Sequence, residues 1–299
     1  MGILNVTPDS FSDGGRYASR DAALRRAEQM VEEGAAILDV GGESTRPAGR
    51  AYGEGAAVVS PDEEMRRVLP VIEAIAQHFP HVLISIDTYK GEVARAALRA
   101  GAHLVNDVGG VRHGVGTARA AADFGAPLVV MHALGRPGAM PHEHRCDDQV
   151  EDVVEDVVED VVEDVVEDVV EDVAESLARS VETATEAGVR HVVVDPGFGF
   201  GKTPEENLRL VARTDRFVGL GRPVLVGVSR KSTVGVVLGS AERPAPVMER
   251  AYGSLGLAAL AVLRGASLVR THDVRPTVEL LRAIRAAEDA ERAFREAAA

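Results

Sequence analysis

The sequence predicts an α/β fold built as a single (β/α)8 TIM barrel, and three observations carry that prediction. Eight short apolar runs alternate with amphipathic or Ala-rich stretches from end to end of the 299 residues. Glycine closely follows most of the helical stretches, at Gly34, Gly101, Gly125, Gly188 and Gly265, where it is a favoured helix C-cap. Every apolar run ends in a polar or ionisable residue, and in a barrel those C-terminal strand ends share the mouth where chemistry collects. A doubly wound open sheet is the competing architecture. Eight regular units without a long break favour closure.

The elements follow in order. Strands are predicted at residues 2–7, 36–41, 82–87, 103–108, 127–132, 191–195, 223–229 and 267–272. They end at Asn5, Asp39, Asp87, Asn106-Asp107, His132, Asp195, Ser229-Arg230-Lys231 and Arg270-His272-Asp273. Helical patterns cover 19–33, 61–78, 91–100, 116–124, 151–187, 204–214, 251–264 and 275–292. The whole chain, 1–299, reads as one barrel domain.

The fifth helix carries an extended acidic repeat. EDVV occurs five times over 151–170, and a degenerate sixth copy ends at Ala174. The net charge of the chain is −14; six copies with two acids each hold twelve of those charges, so the remainder stands at −2. A period of four advances about 40° per copy on a helix, so the valine stripe turns about 200° over five copies and leaves the barrel wall. If helical, 151–174 would add roughly 36 Å, beyond strands that span about 20 Å. Neighbouring acids repel, and no Lys or Arg lies between Arg145 and Arg179 to relieve them. The segment reads as a low-complexity insert that protrudes, with an oligomerisation or docking arm as the alternative.

Composition excludes several classes. A net charge of −14 argues against an electrostatic grip on nucleic acid or anionic lipid, although a nearly neutral remainder makes that acidity say little about the main body. No apolar run approaches the 18 or so residues of a membrane span. The start lacks the basic and apolar regions of a secretory signal, and the lone Cys146 cannot form an internal disulfide, so a cytoplasmic location is expected. His142, His144 and Cys146 lack a fourth ligand for zinc.

The strand ends offer two kinds of recognition. Asp87, Asn106 and Asp195 supply acceptors and an amide suited to a flat, nitrogen-rich heterocycle with N–H donors. Asp87 and Asp195 are equally readable as helix caps or turn residues. Arg46, Lys231, Arg270 and His272 supply cationic donors for a phosphate or diphosphate, and Arg46 taken alone also suits a surface salt bridge. The glycine-rich stretch 197–201 before Lys202 can present backbone N–H groups but lacks the spacing of a Walker loop. Long loops follow the first two strands and can act as lids. Asn5 and Asp9 could help place Mg²⁺, which takes oxygen ligands and substrate phosphates.

These residues fall within motifs. Residues 2–15, GILNVTPDSFSDGG, resemble the first signature of dihydropteroate synthases, and Gly42-Glu43-Ser44-Thr45-Arg46-Pro47 resembles the second. Similar matches are Ser85-Ile86-Asp87-Thr88, Asn106-Asp107-Val108, the DPGFGFGK stretch from Asp195 to Lys202, Ser229-Arg230-Lys231-Ser232 and Arg270-Thr271-His272-Asp273. The resemblance covers nearly the whole chain. It implies a transferase of folate biosynthesis that condenses a dihydropterin methyl diphosphate with p-aminobenzoate, giving 7,8-dihydropteroate and diphosphate.

By position, the resemblance puts the pterin on Asp87, Asn106, Asp195 and Lys231. It puts the diphosphate on Arg46, Arg270 and His272, with Mg²⁺ near Asn5. The p-aminobenzoate pocket, which sulfonamides also occupy, falls to Phe11, Thr45, Pro47, Phe200, Lys231 and Ser232. Asp9, Arg46, Lys231, Arg270 and His272 become the catalytic set. A homodimer is implied.

Three departures accompany the match: the chain opens on its first strand; the loop after Pro47 is longer than expected, with Thr271 a mild change where Val is commoner; and the acidic repeat lies in the fifth helix. The first raises a misassigned start or a less covered barrel bottom as expectations. A catalytically silent pterin-binding paralogue would lose the lid arginine or the phosphate groups, all of which are present. The pterin domain of a corrinoid methyltransferase is disfavoured by the intact STRP and SRKS segments.

Overall fold

The computed structural model describes residues 1–7, 16–43, 59–112, 114–133 and 168–298. Eight parallel strands alternate with helices. β1 (Gly2–Asn5), β2 (Ile37–Gly41), β3 (Leu83–Asp87), β4 (Leu104–Asp107), β5 (Leu128–Met131) and β6 (Val192–Asp195) form one parallel sheet in sequence order. β7 (Leu225–Val226) and β8 (Leu268–Val269) pair with each other. A bridge between Val194 and Val224 joins β6 to β7, and one between Gly2 and Thr271 joins β8 to β1. Main-chain bonds carry both seams: Val194 N donates to Pro223 O at 3.0 Å, and Ile3 N donates to Thr271 O at 3.0 Å. The eight strands therefore close into the predicted barrel.

β7 and β8 are shorter than the sequence suggests. Their C-terminal extensions leave the ladder because side chains take over the backbone groups: Arg230 N donates to Ser254 Oγ and His272 N donates to Ser229 Oγ.

The barrel has an outer and an inner packing layer. Outward residues such as Leu38, Ile84, Val105, Leu128 and Val194 pack against α2 (Pro61–His78), α3 (Gly91–Arg99), α4 (Gly116–Phe124) and their neighbours in one continuous core. Inside, Leu104, Val129 and Leu225 form a plug with Met1, Ile37, Val193 and Leu268 around it. α1 (Arg16–Glu32) and α6 (Pro204–Ala212) complete the early and middle units. Ser60 caps α2, and Thr203 and Glu206 form a reciprocal capping box on α6, each followed by proline at the first turn.

Three helical stretches depart from expectation. α7 (Thr214–Val218) and α8 (Ser232–Leu238) were not predicted, and α10 (Val274–Ala298) runs past its predicted end, after α9 (Ala251–Leu263). The described residues also bear on the end of the acidic repeat. α5 is Val169–Glu186; Asp168 is extended, and its side chain accepts from Val170 N at 3.1 Å. Asp168 thus N-caps the described helix. Val169, Val170, Val173 and Ala174 are buried in the outer core, so these last residues of the array belong to the barrel wall. The acids also have cationic partners that the local sequence does not supply: Arg209 reaches Asp168 at 2.7 Å and Arg216 reaches Glu171 at 2.7 Å. Residues 151–167 lie outside the described residues.

Candidate active site

The pleat places the polar strand ends directly over the apolar plug. Residues two apart share a face of a strand, so Ile37 is followed on the inner face by Asp39, Leu104 by Asn106, Val193 by Asp195 and Leu268 by Arg270. Strand register sets Asp87 beside Asn106 across β3 and β4, and beside Gly41 across β2 and β3. Asp39 is 0% exposed and Asn106 3%.

Arg270 ties this layer together. Its Nε donates to Asp39 Oδ2 at 2.6 Å and its Nη2 donates to Asp87 Oδ2 at 2.6 Å. Asn106 Nδ2 donates to the same Asp39 oxygen at 3.1 Å. Burial opposes the charge on Arg270, but the two carboxylates outweigh it and hold the guanidinium above its ordinary value. One cation shared by two acids leaves the floor short of positive charge. Burial, with Arg270 only partly compensating, pushes the Asp87 carboxyl up to about 7. Burial raises Asp195 as well, with Lys231 the main opposing influence.

The alternatives for the two acids now separate. α3 is capped by Lys90, so Asp87 is no helix cap. Asp195 does serve a turn, since Oδ1 accepts from Gly197 N at 2.7 Å. The glycine-rich stretch that follows folds over Lys231. Gly197 has φ +70, and a Cβ there would lie 1.7 Å from His132 O; Gly199 has φ +80, and a Cβ there would lie 2.8 Å from Lys231 Cδ. Only glycine fits either position. Lys231 Nζ donates to Phe198 O and lies 4.2 Å from the centre of the Phe200 ring. Burial brings the Lys231 amine down to about 7. Ser232 opens α8 immediately after it.

β7 and β8 are stitched at the same mouth. Ser229 Oγ lies 3.0 Å from His272 Nδ1, and Arg230 pairs with Asp273 through both nitrogens of its fork. At the other side of the ring, a Cβ on Gly41 would lie 3.6 Å from Asp87 Oδ2 and 3.7 Å from Asn5 Oδ1. A side chain there would sit in van der Waals contact with both Asn5 and the acidic floor.

Among the described residues, no group of three or more His, Cys, Asp or Glu could hold a metal ion. Asn5 Oδ1 is a single neutral oxygen. Mg²⁺ often takes one or two protein oxygens and fills its shell with waters and substrate phosphates. The donor set therefore fits a cation that arrives with a diphosphate rather than one caged by protein.

Comparison with known proteins settles the family. The sequence matches the family described as Pterin binding enzyme over residues 1–272. It is 41% identical to the dihydropteroate synthase of Escherichia coli (strain K12) over 288 residues, covering 96% of this chain and 90% of that protein. The chain belongs to the dihydropteroate synthase family. Two solved structures of Xanthomonas albilineans dihydropteroate synthase agree. One, with 4-aminobenzoic acid, has a TM-score of 0.79 at 40% identity, covering 96% of this chain and 92% of that one. The other, in complex with 7,8-dihydropteroate, has a TM-score of 0.76 at 38% identity and the same coverage.

The fold of this dihydropteroate synthase family member brings together Asn5, Asp87, Asn106, Asp195, Phe200, Lys231, Ser232, Arg270 and His272 around one mouth. Asp9, Phe11, Thr45, Arg46 and Pro47 lie outside the described residues. Arg270 was read as a diphosphate ligand, yet in this structure two of its nitrogens hold the acidic floor.

Three groups had no role assigned from sequence. Asp39 binds both Arg270 and Asn106; its signal was an acid inside an apolar strand. Lys202 is buried with Nζ donating to Gly197 O at 3.0 Å and Phe200 O at 3.1 Å, and burial lowers its amine to about 7. Lys90 donates to Glu43, to Glu64 Oε2 at 2.5 Å and to Val59 O at 2.7 Å. It thereby joins residues on both sides of 44–58. No local pattern marks Lys90, because its partners come from other loops; Lys202 bonds back onto the glycine-rich stretch that precedes it.

Proposed function

We propose that this chain condenses (7,8-dihydropterin-6-yl)methyl diphosphate with p-aminobenzoate, releasing 7,8-dihydropteroate and diphosphate. The observation that carries the reading is the buried acid floor. Asp87 Oδ1 meets no hydrogen-bond donor among the described residues. A buried carboxylate oxygen left without a donor costs about 1–3 kcal/mol. The N–H-rich edge of an aminopterin supplies donors to it, with Asn106 and Asp195 alongside. Lys231 then lies over the ring system, and Phe200 and Ser232 line the side from which p-aminobenzoate approaches, together with Phe11, Thr45 and Pro47.

The chemistry needs no activated nucleophile from the protein. The C–O bond between the pterin methylene and diphosphate breaks, its electron pair leaves with the diphosphate, and the conjugated pterin spreads the positive charge. The aryl amine lone pair forms the new C–N bond and the amine then loses a proton. His272, Arg46 and Arg270 neutralise the departing diphosphate. Asn5 would hold Mg²⁺ together with that diphosphate, and the ion supplies further charge neutralisation there. Asp9 belongs to the same group of residues by position.

Arg46→Ala tests the division of roles. Turnover should fall at least on the order of 100-fold while calorimetric binding of the pterin substrate persists. Equal loss of binding and turnover would contradict it. No helix among the described residues is long and apolar enough to cross a membrane; a cytoplasmic enzyme is our reading. We also propose a homodimer, using the α8–α9 face where Leu238, Met248 and Tyr252 are exposed, Tyr252 by 87%. Sedimentation of Tyr252→Glu as a dimer at micromolar concentration would rule that face out.

A further inference from the structure

We infer that Ser229 is a positioning residue that holds His272 in the tautomer with its proton on Nε2, so that the ring offers an N–H to the diphosphate. The inference rests on the placement of the diphosphate at His272 given above.

Two bonds join these residues. Ser229 Oγ accepts from the main-chain N–H of His272 at 3.1 Å, and the same oxygen lies 3.0 Å from His272 Nδ1. A hydroxyl has one hydrogen to donate and two lone pairs. The main-chain N–H occupies a lone pair, and Nδ1 is the acceptor within reach of the remaining hydrogen. Ser229 is buried at the C-terminal end of β7, so no bulk water competes for its O–H. With Nδ1 accepting, the neutral imidazole carries its proton on Nε2. The opposite tautomer would leave the Ser229 O–H buried without an acceptor among the described residues. It would also turn an Nε2 lone pair toward an anion, which repels it.

The surrounding frame also anchors both residues through contacts other than the Ser229 hydroxyl. Arg230, at φ +58, forks onto Asp273. Arg26 Nη2 donates to His272 O at 2.9 Å, and Arg250 Nη1 donates to Arg230 O at 3.1 Å. Removing one hydroxyl therefore leaves the β7 and β8 ends anchored.

The test is long-range ¹H–¹⁵N NMR of the full chain with labelled histidine, at a pH where the ring is neutral. His272→Gln assigns the signals. The wild-type spectrum should show Nδ1 unprotonated and Nε2 protonated. In Ser229→Ala the two nitrogen shifts should move toward each other as the second tautomer populates, and Ser229→Thr should restore them. Affinity for inorganic pyrophosphate should fall on the order of tenfold in Ser229→Ala, with KM for p-aminobenzoate unchanged. A protonated Nδ1 in the wild type, or ring shifts unaltered in Ser229→Ala, would overturn the inference. If the tautomer is as stated but pyrophosphate moves neither nitrogen, the tautomer assignment stands and the placement of diphosphate at His272 falls.

Discussion

Asp87 is the residue at which fold and ligand pull in opposite directions. It shares Arg270 with Asp39, and burial pushes its carboxyl up to about 7. A carboxyl that binds its proton more tightly when folded favours folding fully below its ordinary value of about 4. That contribution is lost as pH rises through about 7. Asp87→Asn should therefore stabilise the fold at pH 8 by about 1–3 kcal/mol, seen as a higher Tm. It should weaken pterin binding on the order of 100-fold. A lower Tm at pH 8 would show that the ion pair outweighs the burial cost. The same values set a pH profile. On the proposed assignment, pterin capture needs Asp87 ionised and Lys231 protonated, and burial brings both groups to about 7. The kcat/KM for the pterin substrate should peak near pH 7 and fall on either side, and a flat profile from about pH 6 to about pH 8 would count against the assignment. At this scale the sequence was legible where a polar residue closes an apolar run, as at Asp87, Asn106 and Asp195. It was opaque at Ser229 and Lys90, whose partners His272 and Glu43 become neighbours only when the loops close together.

Elements were readable where periodicity is undisturbed. All eight strands and the helices α2, α3, α4 and α9 fall where alternation and helical spacing put them. α8 was not, because Ser232–Leu238 is short and rich in valine, a residue that favours strands. Its place is fixed by packing instead: Arg250 lies so near Gly235 that a Cβ there would meet its Nε at 2.6 Å. The C-terminal end of the acidic repeat adds a point that its period does not show. The period argues for a stripe leaving the wall, yet Val169, Val170 and Val173 are core residues in the helix that Asp168 caps. This separates a deletion from a substitution. Removing 151–166, four whole copies, keeps the Asp168 cap and should leave kcat/KM and oligomeric state unchanged. Val173→Asp puts a charge at a fully buried site and should cost more than about 3 kcal/mol, enough to abolish a cooperative melt at physiological temperature. Equal harm from both changes would assign the whole array to the wall.

For the whole molecule, the net charge of −14 is a poor guide to the working surface. Twelve of those charges belong to the repeat, and the mouth gathers Lys231, Arg270 and His272 against a buried acid floor. Closure of the ring at the β6–β7 and β8–β1 seams brings residues more than two hundred positions apart, such as Asp39 and Arg270, into one ion pair. That arrangement serves a substrate with two unlike ends, a heterocycle that donates hydrogen bonds and a diphosphate that accepts them. The most direct test is to incubate the full chain with (7,8-dihydropterin-6-yl)methyl diphosphate and Mg²⁺ and to measure diphosphate and 7,8-dihydropteroate together, with and without p-aminobenzoate. The account predicts equal amounts of both products, dependent on p-aminobenzoate and suppressed competitively by a sulfonamide. Tight binding of the pterin substrate with no 7,8-dihydropteroate formed at saturating p-aminobenzoate would contradict it.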